Sequence, residues 1–357
     1  MVKKVYDSII DEKSKKIYTN RLLNYITDDM KYYLDIIRLN DYENEQAVTI
    51  SKYYDEIIGS GAEIIVWGAG SSGKTRLNFN KWLGYDGIKY FVDSNSGLQQ
   101  EGCLGKPVVS PSEFAAKWDG ELILIESLYY EKEIEEQIKS FLGDKCTIIK
   151  HPVREMQYFD EIIKLDDNEV FLDCGCYDCG TVNDFINRVN GKYSRVISFE
   201  PDTINYENCK KIVEDKKWNN VEVINKGLWD KVTTLSFYNG LQTDSRIVEC
   251  EEDIYKDDVN DAKSIEKIEV TDIDTIMQGE RVTFIKMDIE GSELKALQGA
   301  EETIKKYKPK LAISIYHKPE DIVEIPAYLK EIVPEYKFKI RHYTDHAYET
   351  VLYAVVE

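Results

Sequence analysis

The sequence predicts an α/β protein of two doubly wound, three-layer domains, the second closed by an antiparallel hairpin, behind a helical N-terminal segment. Three observations carry that reading. Short apolar runs alternate with stretches of helical periodicity along most of the chain. Two of those runs lead straight into glycine-bearing turns, Gly68-Ala-Gly-Ser-Ser-Gly73 and Asp173-Cys-Gly-Cys-Tyr-Asp-Cys-Gly180. The last two, Tyr336 to Ile340 and Thr350 to Val355, are joined by a short polar loop and read as a hairpin.

Residues 1–60 read as helix, because Leu22, Ile26, Met30, Tyr33 and Ile37 recur at three- and four-residue steps among polar neighbours. Such a stripe packs on its own chain or on a second copy, so it can serve a homo-oligomer. Residues 61–150 read as a Rossmann-like domain of nucleotide-binding type. Ile64 to Trp67 is a buried strand, Lys74 to Leu83 a helix, and Lys89 to Val92 a strand ending in Asp93; Glu121 to Ile125 and the amphipathic helix Glu131 to Leu142 follow. Residues 151–168 are a connector, since Pro152 breaks regular structure and Asp166-Asp-Asn makes a turn. From 169 to 357 the strands are Val170-Phe-Leu, Val196 to Phe199, Val221 to Ile224, Thr283 to Met287 and Lys310 to Tyr316, then the hairpin. Residues 230–275 interrupt this alternation with short β pieces and a charged segment, Glu249 to Asp261, placed to shape an acceptor pocket.

Bulk properties narrow the function. A formal charge of −20 over 357 residues argues against nucleic acid and against anionic lipid surfaces. No apolar run approaches the roughly 20 residues that span a bilayer, and the first residues lack the apolar core of a signal peptide. Seven cysteines, an odd number without disulfide-like spacing, indicate reduced thiols and a cytoplasmic protein.

The most informative stretch is the turn after Val170-Phe-Leu. An acid closing a strand, glycines that let backbone approach a ligand, and a helix N-terminus together describe a nucleoside grip. Twenty residues past Gly180, a second strand ends in Glu200, a carboxylate suited to both ribose hydroxyls. A later strand ends in Asp288-Ile-Glu290, bringing two more carboxylates to the same sheet edge. Gly68 to Thr75 fits both the phosphate loop of NTPases and the dinucleotide fingerprint. Asp93, 20 residues after Gly73, favours the latter, giving a second nucleotide site at Gly68, Gly70, Gly73 and Asp93. Whether it holds a ligand or is a scaffold stays open. Cys174, Cys176 and Cys179 invite a metal reading, but a tetrahedral Zn2+ site wants four ligands and no partner pair follows. They are read as small loop residues, and no metal site is assigned.

The run Phe284-Ile-Lys-Met-Asp-Ile-Glu-Gly-Ser-Glu-Leu-Lys-Ala-Leu-Gln-Gly-Ala300, with the Asp173 to Thr181 loop and Glu200-Pro201, resembles the FkbM family of S-adenosylmethionine-dependent methyltransferases over residues 168–357. Ile315-Tyr-His-Lys-Pro-Glu-Asp321 and the closing Arg341-His-Tyr343 resemble one branch of it. Cys176 departs from the family's usual alanine. The resemblance implies O-methylation of a hydroxyl on a sugar or glycan-related small molecule, with S-adenosyl-L-methionine as cofactor. It implies that Asp173, Gly175, Tyr177, Gly180 and Thr181 cradle the methionine moiety. Glu200 would hold the ribose, with Pro201 at the adenine edge and Asn225 and Gly227 closing over the base. Asp288, Glu290 and His317 are the catalytic candidates. A neutral imidazole at His317 would be a general base, against the alternative of a capping histidine; the two carboxylates would orient the acceptor or bind a divalent ion, orientation being preferred. Glu293, on a first helical turn, is read as structural. The competing readings are an NAD-dependent oxidoreductase and a nucleotide-sugar-binding module, both using the N-terminal glycine loop.

Overall fold

The computed structural model describes residues 1–40, 57–127, 130–149, 156–239, 246–248, 264–345 and 347–356. The charged segment Glu249 to Asp261 and most of the connector before Met156 lie outside these. The chain forms two compact units: residues 1–18, 155–341 and 349–357 in one, 19–154 and 342–348 in the other.

The smaller unit holds a five-stranded sheet of β1 (Ile64–Trp67), β2 (Ile88–Val92), β3 (Val108–Val109), β4 (Leu122–Ile125) and β5 (Ile148–Ile149). Its order is β3-β2-β1-β4-β5 and every pairing is parallel, the order of a doubly wound half-sheet. β1 and the last three residues of β4 are buried, which is why they read as unbroken apolar runs. Gly73 sits in the first turn of helix Ser71–Trp82, where a Cβ would stand 2.1 Å from the Gly68 carbonyl oxygen; only glycine lets helix and strand approach this closely.

The N-terminal helix predicted over residues 1–60 is broken. The described part forms Val2–Ser8, Glu12–Thr27 and Lys31–Asn40, interrupted at Asp28, which adopts φ +55°. Tyr33 and Ile37 are buried and Leu22 and Met30 half-buried, whereas Ile26 is 68% exposed. Most of the apolar stripe is therefore covered by this chain itself.

The larger unit is built on seven strands: β6 (Val170–Cys174), β7 (Arg195–Phe199), β8 (Val221–Ile224), β13 (Phe284–Met287), β14 (Lys310–Ser314), β15 (Lys337–His342) and β16 (Thr350–Val355). Their order is β15-β16-β14-β13-β6-β7-β8. Strands β6, β7, β8, β13 and β14 are parallel, and β16 runs antiparallel to β14. A second sheet, β11-β10-β12-β9, is formed by β9 (Gly227–Leu228), β10 (Thr233–Asn239), β11 (Arg246–Val248) and β12 (Ser264–Thr271); it occupies the insertion expected at 230–275. Under the main sheet Phe171 stacks on Phe284 with centroids 4.8 Å apart, and both rings are fully buried. Each buried phenyl ring contributes about 1.5–3 kcal/mol. The β6–β13 register sets Asp173 beside Lys286 and Cys174 beside Met287. That pairing positions the site.

Candidate active site

The glycine loop is held by close backbone contacts. Gly175 has φ +85°, and a Cβ there would lie 2.0 Å from the Asp288 carbonyl oxygen, so no other residue fits. Asp288 N–H in turn donates to the Cys174 carbonyl at 3.0 Å. Asp173 is fully buried with Lys286 Nζ 3.2 Å from Oδ1, while Lys286 also donates to the Gly175 carbonyl at 2.7 Å. Burial raises the Asp173 carboxyl to about 6 against the pull of Lys286. Apart from that ammonium, neither carboxylate oxygen has a hydrogen-bond donor among the described residues. A buried acceptor with unspent capacity at the edge of a glycine cradle fits a ligand carrying donors.

Glu200 follows β7. Its Oε2 accepts from Tyr177 N–H and its Oε1 from Asp202 N–H, both at 3.0 Å. Desolvation nonetheless raises its pKa to about 7. Asn225 Nδ2 donates to the Glu200 and Pro201 carbonyls, holding this turn from behind. Tyr177 is 40% exposed at φ +47°, and Gly180 and Thr181 open helix Gly180–Arg188. Gly227 lies elsewhere: it is buried in β9 against Ile268 and Val270, so its small size serves sheet packing.

The three catalytic candidates converge. His317 Nε2 lies 3.4 Å from Asp288 Oδ1 and 3.3 Å from Glu290 Oε2, and Nδ1 lies 2.9 Å from Glu293 Oε1. Burial opposes an imidazolium here, but Glu293, Glu290 and Asp288 outweigh it and raise the pKa to about 10. His317 is therefore charged at neutral pH, which corrects the expectation of a neutral imidazole base. Asp288 is lowered on balance, burial being outweighed by His317 and Lys286, and it accepts from Tyr158 at 2.6 Å and Tyr316 at 3.1 Å. Three carboxyl groups thus surround one imidazole. Glu290 stands at φ +54° with its side chain 35% exposed, and is the most open member. Asp288, Glu293 and His317 have the donor types and spacing of a cation site, with ligand atoms within 4.8 Å. Glu293, however, already accepts from Ile289 N–H and faces the other ring nitrogen, so it orients the imidazole.

Four residues here escaped the sequence reading. Glu293, structural by its place on a first helical turn, is also the carboxylate nearest His317. Lys286 carried a visible signal, a lysine within the apolar run Phe-Ile-Lys-Met. Tyr158, from the presumed connector, gave none. Cys209, on helix Thr203–Lys216, places its Sγ 3.7 Å from that of Cys176, and with Cys179 the three sulfurs lie within 4.8 Å of one another.

In the smaller unit, Gly68, Gly70 and Gly73 do form one turn into a helix. Asp93 turns one oxygen to that backbone: Oδ2 accepts from Ala69 N–H, while Oδ1 accepts from Asn95 N–H of its own loop, both at 2.9 Å. It acts as a brace for the glycine turn.

Residues 173–340 match the family described as "Methyltransferase FkbM domain". No curated protein is similar in sequence. Among solved structures, methyltransferase FkbM from Methylobacillus flagellatus KT superposes with a TM-score of 0.51 at 22% identity, covering 84% of this chain and 92% of that one. The O-methyltransferase from Bacillus cereus in complex with SAH gives 0.33 at 12% identity, over 57% and 77%. Aeropyrum pernix fibrillarin with natively bound S-adenosyl-L-methionine gives 0.32 at 12%, over 54% and 70%. Those two resemblances are loose. No described helix is long and apolar enough to cross a membrane. On this seven-stranded sheet, residues 173–340 of the larger unit are an FkbM methyltransferase domain.

Proposed function

We propose that this domain transfers the methyl group of S-adenosyl-L-methionine to a hydroxyl of a sugar or glycan-related small molecule. The observation that carries the reading is the acidic cluster of Asp288, Glu290 and Glu293 around His317, set directly against the Gly175 turn. The donor's polar groups suit the residues present: Asp173 offers buried acceptor oxygens, the Gly175 turn admits close approach, and Glu200 accepts ribose hydroxyls. When bound, the sulfonium supplies an already activated methyl group. The protein then has to hold one acceptor oxygen in line and receive its proton.

Asp288 is fixed by Tyr158 and Tyr316, so its free lone pairs orient an acceptor hydroxyl. As the C–O bond forms and the S–C bond breaks, the hydroxyl proton passes to Glu290, whose exposure returns it to water. His317 keeps its own proton. Its positive charge holds Asp288 and Glu290 in place, so it acts as a positioning residue.

The test is calorimetric titration with S-adenosylhomocysteine, then transfer of labelled methyl to a panel of sugar and polyketide alcohols. Failure to bind the homocysteine product removes the reading. Binding with methylation confined to amines or carbon removes the hydroxyl assignment.

A further inference from the structure

The cysteines of the glycine loop are left unused by this chemistry, and the fold adds a fourth thiol to their neighbourhood. Cys176 and Cys179 come from the loop and Cys209 from helix Thr203–Lys216, which begins just past Glu200. All three are at most 3% exposed. The Cys176–Cys209 separation of 3.7 Å is far beyond a disulfide, about 2.05 Å. It matches the roughly 3.8 Å between two sulfurs bound tetrahedrally at about 2.3 Å to one zinc ion. Cys179 is the N-cap of helix Gly180–Arg188, where backbone N–H groups favour a thiolate. Among the described residues no fourth His, Cys, Asp or Glu joins the group.

We propose that Cys176, Cys179 and Cys209 hold one thiophilic d10 cation, Zn2+ or Cu(I), as a three-thiolate site that ties the glycine loop to the helix after the ribose carboxylate. Three thiols lose their protons on binding. A divalent ion leaves the site at −1 and completes its shell with water; a monovalent one stays trigonal at −2. Soft thiolate donors select these ions over Mg2+ or Ca2+. Cys174, one residue before Gly175, takes no part.

The experiment titrates reduced, full-length protein anaerobically with Cd2+, following the thiolate-to-metal charge-transfer band. Parallel titrations with Zn2+ and Cu(I) distinguish the two ions. One Cd2+ per chain is expected, with a rise in thermal midpoint. Cys209→Ser should weaken uptake by roughly 100-fold, the share of one ligand in structural zinc affinities. Cys146→Ser, on a partly exposed thiol of the other unit, should leave it unchanged. Cys179→Ser places a residue type favoured at helix N-caps and should reproduce the loss if Cys209→Ser misfolds. Substoichiometric uptake by wild type, or wild-type affinity in both Cys209→Ser and Cys179→Ser, overturns the proposal and leaves three hydrogen-bonded thiols.

Discussion

Cofactor affinity should fall in mildly acidic solution, and the cause should be Glu200. Its unliganded carboxyl has a pKa of about 7 because burial outweighs its two backbone donors. Ribose hydroxyls donate to the charged form, so binding below that pH must first expel a proton. The ionised fraction is about 0.9 at pH 8 and about 0.09 at pH 6, a tenfold difference worth about 1.4 kcal/mol. Asp173, at about 6, adds no more than about twofold at the lower pH. Calorimetry with S-adenosylhomocysteine across this range should show that slope. Glu200→Gln should bind about 1–3 kcal/mol more weakly at pH 8, having lost charge-assisted hydrogen bonds. It should also flatten the profile to the Asp173 remainder. An equal slope in wild type and variant would refute the reasoning, since proton release would then come from elsewhere.

Four further expectations concern other parts of the site. His317→Gln should keep affinity for S-adenosylhomocysteine within a few-fold while lowering turnover by about 100-fold; a wild-type turnover inflection near pH 6.5 that this variant abolishes would contradict a charged imidazole. Because the His317 pKa is raised, its stabilising contribution is full below about 6.5 and fades as pH climbs toward about 10, so the urea-stability gap between wild type and variant should narrow over that range. Lys286→Met should cost about 3–5 kcal/mol in urea denaturation by stranding the Asp173 charge, and adding Asp173→Asn should recover most of it. Turnover should be indifferent to EDTA when Cys176, Cys179 and Cys209 are replaced by serine; restoration by Mg2+ or Mn2+ would instead place a cation at His317.

Much of this architecture was legible because its signals are local. A glycine turn after an apolar run and an acid at a strand end are each contained in about ten residues, so Asp173, Gly175, Glu200, Asp288 and Glu290 could be found without register. The chain does not advertise what register and packing create. Lys286 meets Asp173 only once β13 lies beside β6. Cys209 reaches Cys176 across 33 residues of sequence, through the placement of one helix. Tyr158 is one of 25 tyrosines in a stretch without periodicity. Gly227 misled for the converse reason: glycine serves tight sheet packing as well as ligand approach. The charge on His317 was invisible because it depends on three carboxylates of one loop meeting an imidazole that follows another strand.

The grouping of residues 1–18 with the methyltransferase unit changes what counts as that domain. Ile10 N–H donates to the Phe338 carbonyl, Ser14 Oγ accepts from Ile340 N–H, and Arg341 reaches Asp11. Val5, Ile9, Ile17 and Tyr18 are buried. Residues 1–18 are therefore completed only by strand β15, far along the chain. Residues 19–154 can close their sheet early, whereas Ser14 must wait for its partner Ile340, 326 positions downstream. A fragment beginning at the family's own boundary would emerge with an uncovered edge at β15 and without Tyr158 to hold Asp288.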